Sequence, residues 1–349
     1  MHLNISSFHH ALLNWFDQHG RRDLPWQQNK TLYSVWVSEI MLQQTQVSTV
    51  IPYYTQFMQR FPTLESLAEA TENTVLSCWS GLGYYARARN LHSAAQKIMV
   101  DYNGQFPENL NDLLTLPGIG RSTASAILAL TLKQPLAILD GNVKRVLART
   151  FAIAGFPGKG AVAHALWEKS DTLVPKYRVD DYTQAMMDLG ASICSRTTPL
   201  CLQCPLKPQC LAFEQGTVDQ YPGKKPKKTL PVKTRYFLVL INPKGELFLQ
   251  QRKEKRLWGG LWSVPIFKTK TALTAWLKEH SISQIGLLDS LTPQQHVFSH
   301  FKLKFTPMRL YVTEEFIHNE GQWFSPKMAE HVGIPKPIHD LFLMRHNLA

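Results

Sequence analysis

The sequence predicts a chain of two parts: an all-α region over residues 1–215 and a mixed α and β domain at 236–349, joined by a basic linker at 216–235. Three observations carry that division. The first part reads as helices separated by short Gly and Pro turns. The segment 216–235, GTVDQYPGKKPKKTLPVKTR, is rich in Lys, Pro and Gly and poor in large aliphatics, as a linker is. Strand-like alternation begins only after it. At 349 residues two domains is the natural expectation, and each can bury a substantial core.

Charge and texture narrow the function classes. With 38 basic and 26 acidic residues the formal net charge is +12, which suits a polyanionic partner, although an ordinary solvated surface also accommodates it. No apolar run reaches the ~18 residues a membrane span needs. The opening MHLNISSFHH lacks the basic and apolar regions of a signal peptide. The expectation is a cytoplasmic protein that meets nucleic acid and no membrane. Lys224, Lys225, Lys227 and Lys228 in the linker are placed to touch phosphate, or form a merely solvated charge run.

In chain order, Tyr33–Val50 carries Val35, Trp36, Ile40, Val47 and Val50 at helical spacing. Glu39 stands among these apolar residues. Burial raises a carboxyl pKa, which a general acid working near neutral pH needs. Helical spacing sets Trp36 and Gln43 beside it, so one face offers an acid, an aromatic surface and an amide. The alternative is a core glutamate held by a salt bridge.

Pro62, Pro107, Pro117 and Pro135 punctuate the following helices. Residues 113–132, LLTLPGIGRSTASAILALTL, read as a helix end, a turn at Leu116-Pro117-Gly118-Ile119-Gly120, and a new helix. Gly118 and Gly120 permit a sharp turn and close backbone approach. Ser122 or Thr123 can cap the second helix, whose free amides and dipole suit a phosphate. That is a helix-hairpin-helix pattern, which grips DNA backbone without reading sequence; a plain αα-corner is the alternative. Asp140, in ILDGNVKRV, precedes another helix, either as an N-cap alone or also as a carboxylate at the mouth of a cleft.

Four of the five cysteines fall within 17 residues: Cys194, Cys201, Cys204 and Cys210, with six, two and five residues between them. Thiolates so spaced can converge on one metal centre, and spacing alone leaves zinc and iron–sulfur both open. A disulfide-stapled loop is less compatible with an intracellular chain. Beyond the linker, Tyr236–Ile241, the turn Asn242-Pro243-Lys244-Gly245 and ELFLQQR form a hairpin pattern, and FKLKFTPMRLYV from Phe301 alternates as a half-buried strand.

Together VSEIMLQQTQV, GLGYYARARN, LPGIGRSTASAI, ILDGNVKR and the cysteine quartet resemble the MutY-type adenine DNA glycosylases of the helix-hairpin-helix superfamily. The resemblance runs from RRDLPWQ to the FSHF near the C-terminus. It implies an all-α glycosylase region with a [4Fe–4S] cluster on the four cysteines, followed by a Nudix-like α+β domain. The implied partner is double-stranded DNA in which adenine is mispaired with 8-oxoguanine or guanine, met by a nucleoid-associated monomer. Glu39 then corresponds to the catalytic acid and Asp140 to the catalytic aspartate, with Asn142 in support. Arg22, Trp26 and Gln184 are implied to line an adenine pocket. Gln43, Gln44 and Tyr84 fall at positions implied to fill the gap left by the flipped base or to meet the opposing one, and Gly118, Gly120, Ser122 and Lys144 at the DNA backbone.

Two departures sharpen the expectation. Endonuclease III-type relatives carry a lysine just after the hairpin to form a Schiff base; Ser122 stands there, and a hydroxyl cannot form an imine, so a monofunctional enzyme is expected. Lys144, near Asp140, leaves adventitious trapping of the sugar open, and a bifunctional glycosylase/lyase is the alternative. In the C-terminal domain QQR, LWGGLWSVP and Phe298-Ser299-His300-Phe301 carry the likeness to MutT-related domains. A Glu-rich Nudix box is missing, because IFKTKTALTAWLKEHSISQIG holds only Glu279. The expectation is recognition of 8-oxoguanine through Phe298, Ser299 and His300, without nucleotide hydrolysis.

Overall fold

A computed structural model describes residues 4–226, 229–253, 257–282, 284–313 and 321–344. Lys227 and Lys228 of the linker lie outside the described residues. The chain separates into two compact units, 1–68 with 93–227 and 69–92 with 228–349. Residues 69–92, placed in the helical region by the sequence pattern, thus group with the C-terminal unit.

Helices run in order α1 (Ile5–His19), α2 (Pro25–Gln28), α3 (Leu32–Leu42), α4 (Val47–Arg60), α5 (Leu64–Glu69), α6 (Glu72–Cys78), α7 (Ala86–Asp101), α8 (Leu110–Leu114), α9 (Arg121–Leu132), α10 (Gly141–Thr150), α11 (Gly160–Leu173) and α12 (Val179–Asp188). Local chemistry sets their starts. The Asn4 carboxamide oxygen accepts from Ser7 N at 3.0 Å, and Thr31 and Ser34 cap α3 reciprocally. The pattern over 33–50 does not give one helix: α3 ends at Leu42, and Gln44 takes a left-handed φ of 60° before α4 begins. That break lifts Gln44 out to solvent.

The core that matters for function joins Phe8, Leu12, Leu13 and Phe16 of α1 to Ile138, Leu139, Val143 and Val146, and to Tyr182 and Met186 of α12. Burying such side chains stabilises by about 1.5–3 kcal/mol each. Apolar anchors therefore sit on both sides of Asp140, two before it and one three residues after. After α12 the chain widens into one π-helical turn, Leu189–Ile193, which delivers it to Cys194.

The second unit is built on a mixed sheet of β1 (Val232–Ile241), β2 (Leu247–Gln251), β3 (Trp262–Ser263), β4 (Ile266–Phe267), β5 (Gln284–Ser290), β6 (Gln294–Val297), β7 (Lys302–Val312) and β8 (Gly321–Phe324). The order is β3-β2-β1-β7-β5, with β1 and β7 parallel and the other pairs antiparallel. The predicted hairpin forms between β1 and β2. The Asn242 side-chain oxygen accepts from Lys244 N and Glu246 N, and Gly245 takes φ 75° at the tip. Strand β7 alternates buried Leu303 and Phe305 with outward Lys302 and Lys304, as its sequence predicts. Segment 69–92 packs within this unit: Arg89 donates to Gly259 O at 2.8 Å, and Trp262 Nε1 to Asn73 Oδ1 at 3.2 Å.

Candidate active site

Glu39 lies on α3 between the fully buried Trp36 and Val37 and the buried Ile40 and Met41. The residue as a whole is half-buried, and no described group donates a hydrogen bond to its carboxyl or pairs with it. The salt-bridged core glutamate therefore finds no partner. Burial, followed by the charge of nearby Asp140, pushes the Glu39 pKa up to about 8. Trp36 does not share an open face with it. Its ring is 0 % exposed and packs edge-on against Tyr33 and Phe106, so it belongs to the core. Gln43 is the C-cap of α3 and reaches Thr123 Oγ1 at 3.4 Å.

Asp140 is the N-cap of α10, and its Oδ1 accepts from Val143 N at 2.8 Å. Burial raises its pKa, while the amides of Val143 and Asn142 and the charges of Arg145 and Lys144 act in the opposite direction. None of those favourable partners acts on Glu39. The two acids interact, and Asp140 has hydrogen-bond and charge partners for its anion that Glu39 lacks, so a proton shared by the pair is favoured on Glu39. The environments of the two carboxyls differ in the sense that acid and anion roles demand.

Ser122 has a role the sequence pattern missed. The N-cap of α9 is Gly120 and makes no side-chain capping bond, so neither Ser122 nor Thr123 caps the helix. Instead Ser122 Oγ accepts from Leu139 N at 2.9 Å, tying the hairpin helix to the strand-like segment that carries Asp140. The uncapped α9 start leaves amides and the positive dipole end available to an anion. Gly118 takes φ 79° at the turn, where an L side chain would be strained, whereas Gly120 has φ −98° and open space around it.

Asn142 Oδ1 accepts from Arg145 Nη2 at 2.9 Å, and the same guanidinium donates to Gly190 O at 2.5 Å and to Cys194 O at 2.7 Å. A Cβ at Gly190 would fall 2.5 Å from Asn142 Cβ, so the absence of a side chain allows the π-turn to close on α10. Buried Arg149, two turns after Asp140, donates to Cys194 Sγ at 3.2 Å, to Ser195 O at 2.7 Å and to Tyr221 O at 3.0 Å. One short helix thus carries Asp140 at its start and holds the cysteine loop along its flank.

The four cysteines are free thiols that line one cavity with Arg149, Ile193, Pro199 and Phe213. Burial raises the pKa of Cys201 and Cys210 and pushes Cys204 up to about 12, so thiolates here call for a strongly cationic partner. Among the described residues no three His, Cys, Asp or Glu side chains are gathered for a single ion. A four-iron cluster takes one thiolate per iron and so suits ligands that share a cavity without converging on one atom.

The remaining predicted residues are distributed. Trp26 is buried on α2 with its ring edge-on to Tyr54 at 5.3 Å. Arg22 is exposed, paired with Asp17 and lying over the Phe16 ring. Gln184 is buried on α12 and donates to Asp188, whose carboxylate is gripped by Arg21, a pair the sequence pattern did not single out. Lys144 sits on the first turn of α10, half-buried. In the second unit, Tyr84 takes φ 48°, is 50 % exposed and stacks on Arg87. Phe298 N donates to Phe301 O at 2.9 Å, closing a tight turn between β6 and β7; the two rings stack at 4.5 Å, leaving Ser299 and His300 exposed at the tip.

In sequence and fold the chain is similar to known DNA glycosylases. Residues 37–171 match the HhH-GPD superfamily of base excision DNA repair proteins, and 236–344 match the NUDIX domain. The chain is 42% identical over 96% of its length to the adenine DNA glycosylase of Buchnera aphidicola from Acyrthosiphon pisum, covering 96% of that protein. It is 43% identical to the human adenine DNA glycosylase over 62% of this chain and 41% of that one. Among solved structures, a thermostable thymine-DNA glycosylase superposes with a TM-score of 0.54 at 28% identity, over 60% of this chain and 97% of that one. Endonuclease III in complex with DNA shares the fold, with a TM-score of 0.52 at 19% identity over 62% and 99%. With a helix-hairpin-helix part followed by a Nudix-like part, and 42% identity to a relative over 96% of both chains, the chain belongs to the adenine DNA glycosylase family.

Proposed function

We propose that this glycosylase removes adenine paired with 8-oxoguanine, and more weakly with guanine, by hydrolysis of the glycosidic bond without cutting the strand. The observation that carries this reading is the carboxyl pair: Glu39 with its pKa pushed up to about 8, beside an Asp140 held by the Val143 amide. Glu39 delivers its proton to a ring nitrogen of the flipped adenine. The electrons of the C1′–N9 bond leave with the base as a neutral purine, and Asp140 as carboxylate stabilises the cationic sugar. Water then adds to C1′, and its proton returns to Glu39. Asn142 supports the turn that presents Asp140.

Lifting the base out of the stack costs a few kcal/mol. Gln43, Gln44 and exposed Tyr84 answer that cost at the gap or the opposing base, while Arg22, Trp26 and Gln184 receive the adenine. Gly118, Gly120 and the α9 amides hold backbone phosphate, with Lys144 nearby. Ser299 and His300, pushed outward by the stacked Phe298 and Phe301, read the 8-oxoguanine. The Ser122 hydroxyl is engaged with Leu139 N and offers no amine for a Schiff base, which favours the monofunctional reading over a lyase.

Cys194, Cys201, Cys204 and Cys210 would hold a [4Fe–4S] cluster. When bound, it would supply one iron to each of the four thiolates, a cross-link that would tie the 194–210 loop into one body. Arg149 already orients that loop through Cys194 and Ser195, and exposed Arg196 sits on it toward phosphate. The domain boundaries proposed are 1–215, 216–235 and 236–349, in a nucleoid-associated monomer. Glu39→Gln tests the reading: it is expected to bind mispaired DNA and release no adenine. Normal turnover by that variant would overturn it.

A further inference from the structure

The side chain of Asp188 is 2 % exposed, yet it gathers four hydrogen bonds. Its Oδ2 accepts from Arg21 N at 2.8 Å; its Oδ1 accepts from Arg21 Nε at 2.9 Å, from Arg21 Nη2 at 2.5 Å and from Gln184 Nε2 at 2.8 Å. Carboxylate oxygens accept: Oδ1 takes both guanidinium N–H groups of Arg21, and Oδ2 takes the Arg21 backbone N–H. The carboxylate's fourth partner must therefore present hydrogen. A Gln184 amide turned the other way would set Oε1 against the carboxylate and lose that bond. Gln184 stands one helical turn before Asp188, so the pair keeps this register wherever α12 is intact. Among the described residues nothing donates to Gln184 Oε1.

We propose that Asp188, clamped by Arg21, fixes the Gln184 amide with its carbonyl oxygen toward the base, so that the site selects a 6-amino purine over a 6-oxo purine. The inference rests on the reading of Gln184 as a pocket residue and adds the reason for its polarity. The amine of adenine donates to Gln184 Oε1. A 6-oxo purine such as hypoxanthine offers an acceptor there and meets oxygen with oxygen. Asp188 is a positioning residue in this scheme and touches no base. The sequence pattern could not single it out, because the discriminating atom belongs to Gln184 and the constraint comes from Arg21, far away in the chain.

The test is single-turnover release of adenine and of hypoxanthine, each opposite 8-oxoguanine, by wild type, Asp188→Asn and the double variant Gln184→Glu with Asp188→Asn. An asparagine at 188 can donate as well as accept, so the Gln184 amide is free to turn. The adenine-to-hypoxanthine rate ratio should then fall about tenfold or more, the scale of one misplaced base-edge hydrogen bond. In the double variant the charge is conserved and asparagine donates to the new carboxylate, whose other oxygen again accepts from the base; the ratio should return to within about threefold of wild type. Ratios are compared between enzymes on identical duplexes, so duplex stability cancels. Equal losses on both bases, leaving the ratio unchanged, would assign Asp188 a structural role only and overturn the proposal. Should Asp188→Asn fail to fold, the double variant decides alone: a wild-type ratio supports the proposal, and a collapsed one contradicts it. Absence of adenine release by wild type would instead defeat the glycosylase reading itself.

Discussion

At residue scale the proposed acid makes folding pH-dependent in a direction opposite to that of ordinary surface carboxylates. Unfolded, Glu39 titrates near its usual 4.5; folded, it titrates near 8. Below 4.5 both states hold the proton and nothing is lost. Between 4.5 and 8 the folded protein keeps a proton that the unfolded chain has released, so stability falls as pH rises and the loss is complete above 8. At pH 7 the cost is of order 3 kcal/mol. Glu39→Gln should therefore raise the thermal midpoint near neutral pH, by a margin that grows from pH 5 to pH 8, while abolishing adenine release. A midpoint independent of pH in the difference between the two proteins would contradict the pKa. Adenine release by wild type should decline as pH passes through about 8. Glu39 and Asp140 drew attention as local signals, an acidic residue in an apolar helix and one before a helix start, while their proposed roles came from the resemblance to the family. Arg21 and Asp188 drew no attention, since a surface-looking Arg and a buried Asp 167 positions apart reveal each other only in three dimensions.

At the scale of elements, α10 links the carboxyl pair to the cysteine loop. Gly190→Ala places a Cβ 2.5 Å from Asn142 Cβ and about as close as 3.0 Å from its backbone, with no flexible side chain to yield. Overpacking of this kind typically costs about 1–3 kcal/mol, measurable by chemical denaturation, and it should lower adenine release more than DNA binding. Ser122→Ala removes the acceptor for Leu139 N, with an expected loss of about 1 kcal/mol and a slower excision step. Cys201→Ser should release iron together with DNA affinity; a fully active, iron-free variant would argue against the cluster. The hairpin at 113–132 and the β1–β2 turn followed from Gly, Pro and Asn placement alone. The break after α3 did not, because the apolar spacing continues across Gln43–Gln46 while the backbone turns through Gln44 at φ 60°. The capping expectation at Ser122 failed for a related reason: a hydroxyl near a helix start can serve a neighbouring segment instead.

For the whole molecule, the division into a helical region and an α+β domain was readable from composition and periodicity. The grouping of 69–92 with the C-terminal unit was not, as it rests on contacts such as Arg89 with Gly259 that no local pattern announces. A net charge of +12 predicts duplex affinity that falls steeply with salt. If about six phosphates are neutralised, the loss between 50 and 200 mM salt is roughly 10³-fold, checked by fluorescence anisotropy. The central claim, hydrolysis by a carboxyl pair without strand cleavage, is tested most directly by single-turnover reaction with an end-labelled duplex bearing adenine opposite 8-oxoguanine, divided into samples with and without hot alkali. Breaks that appear only after alkali are the expected result. Breaks without alkali, or none in either sample despite tight binding, would contradict the account.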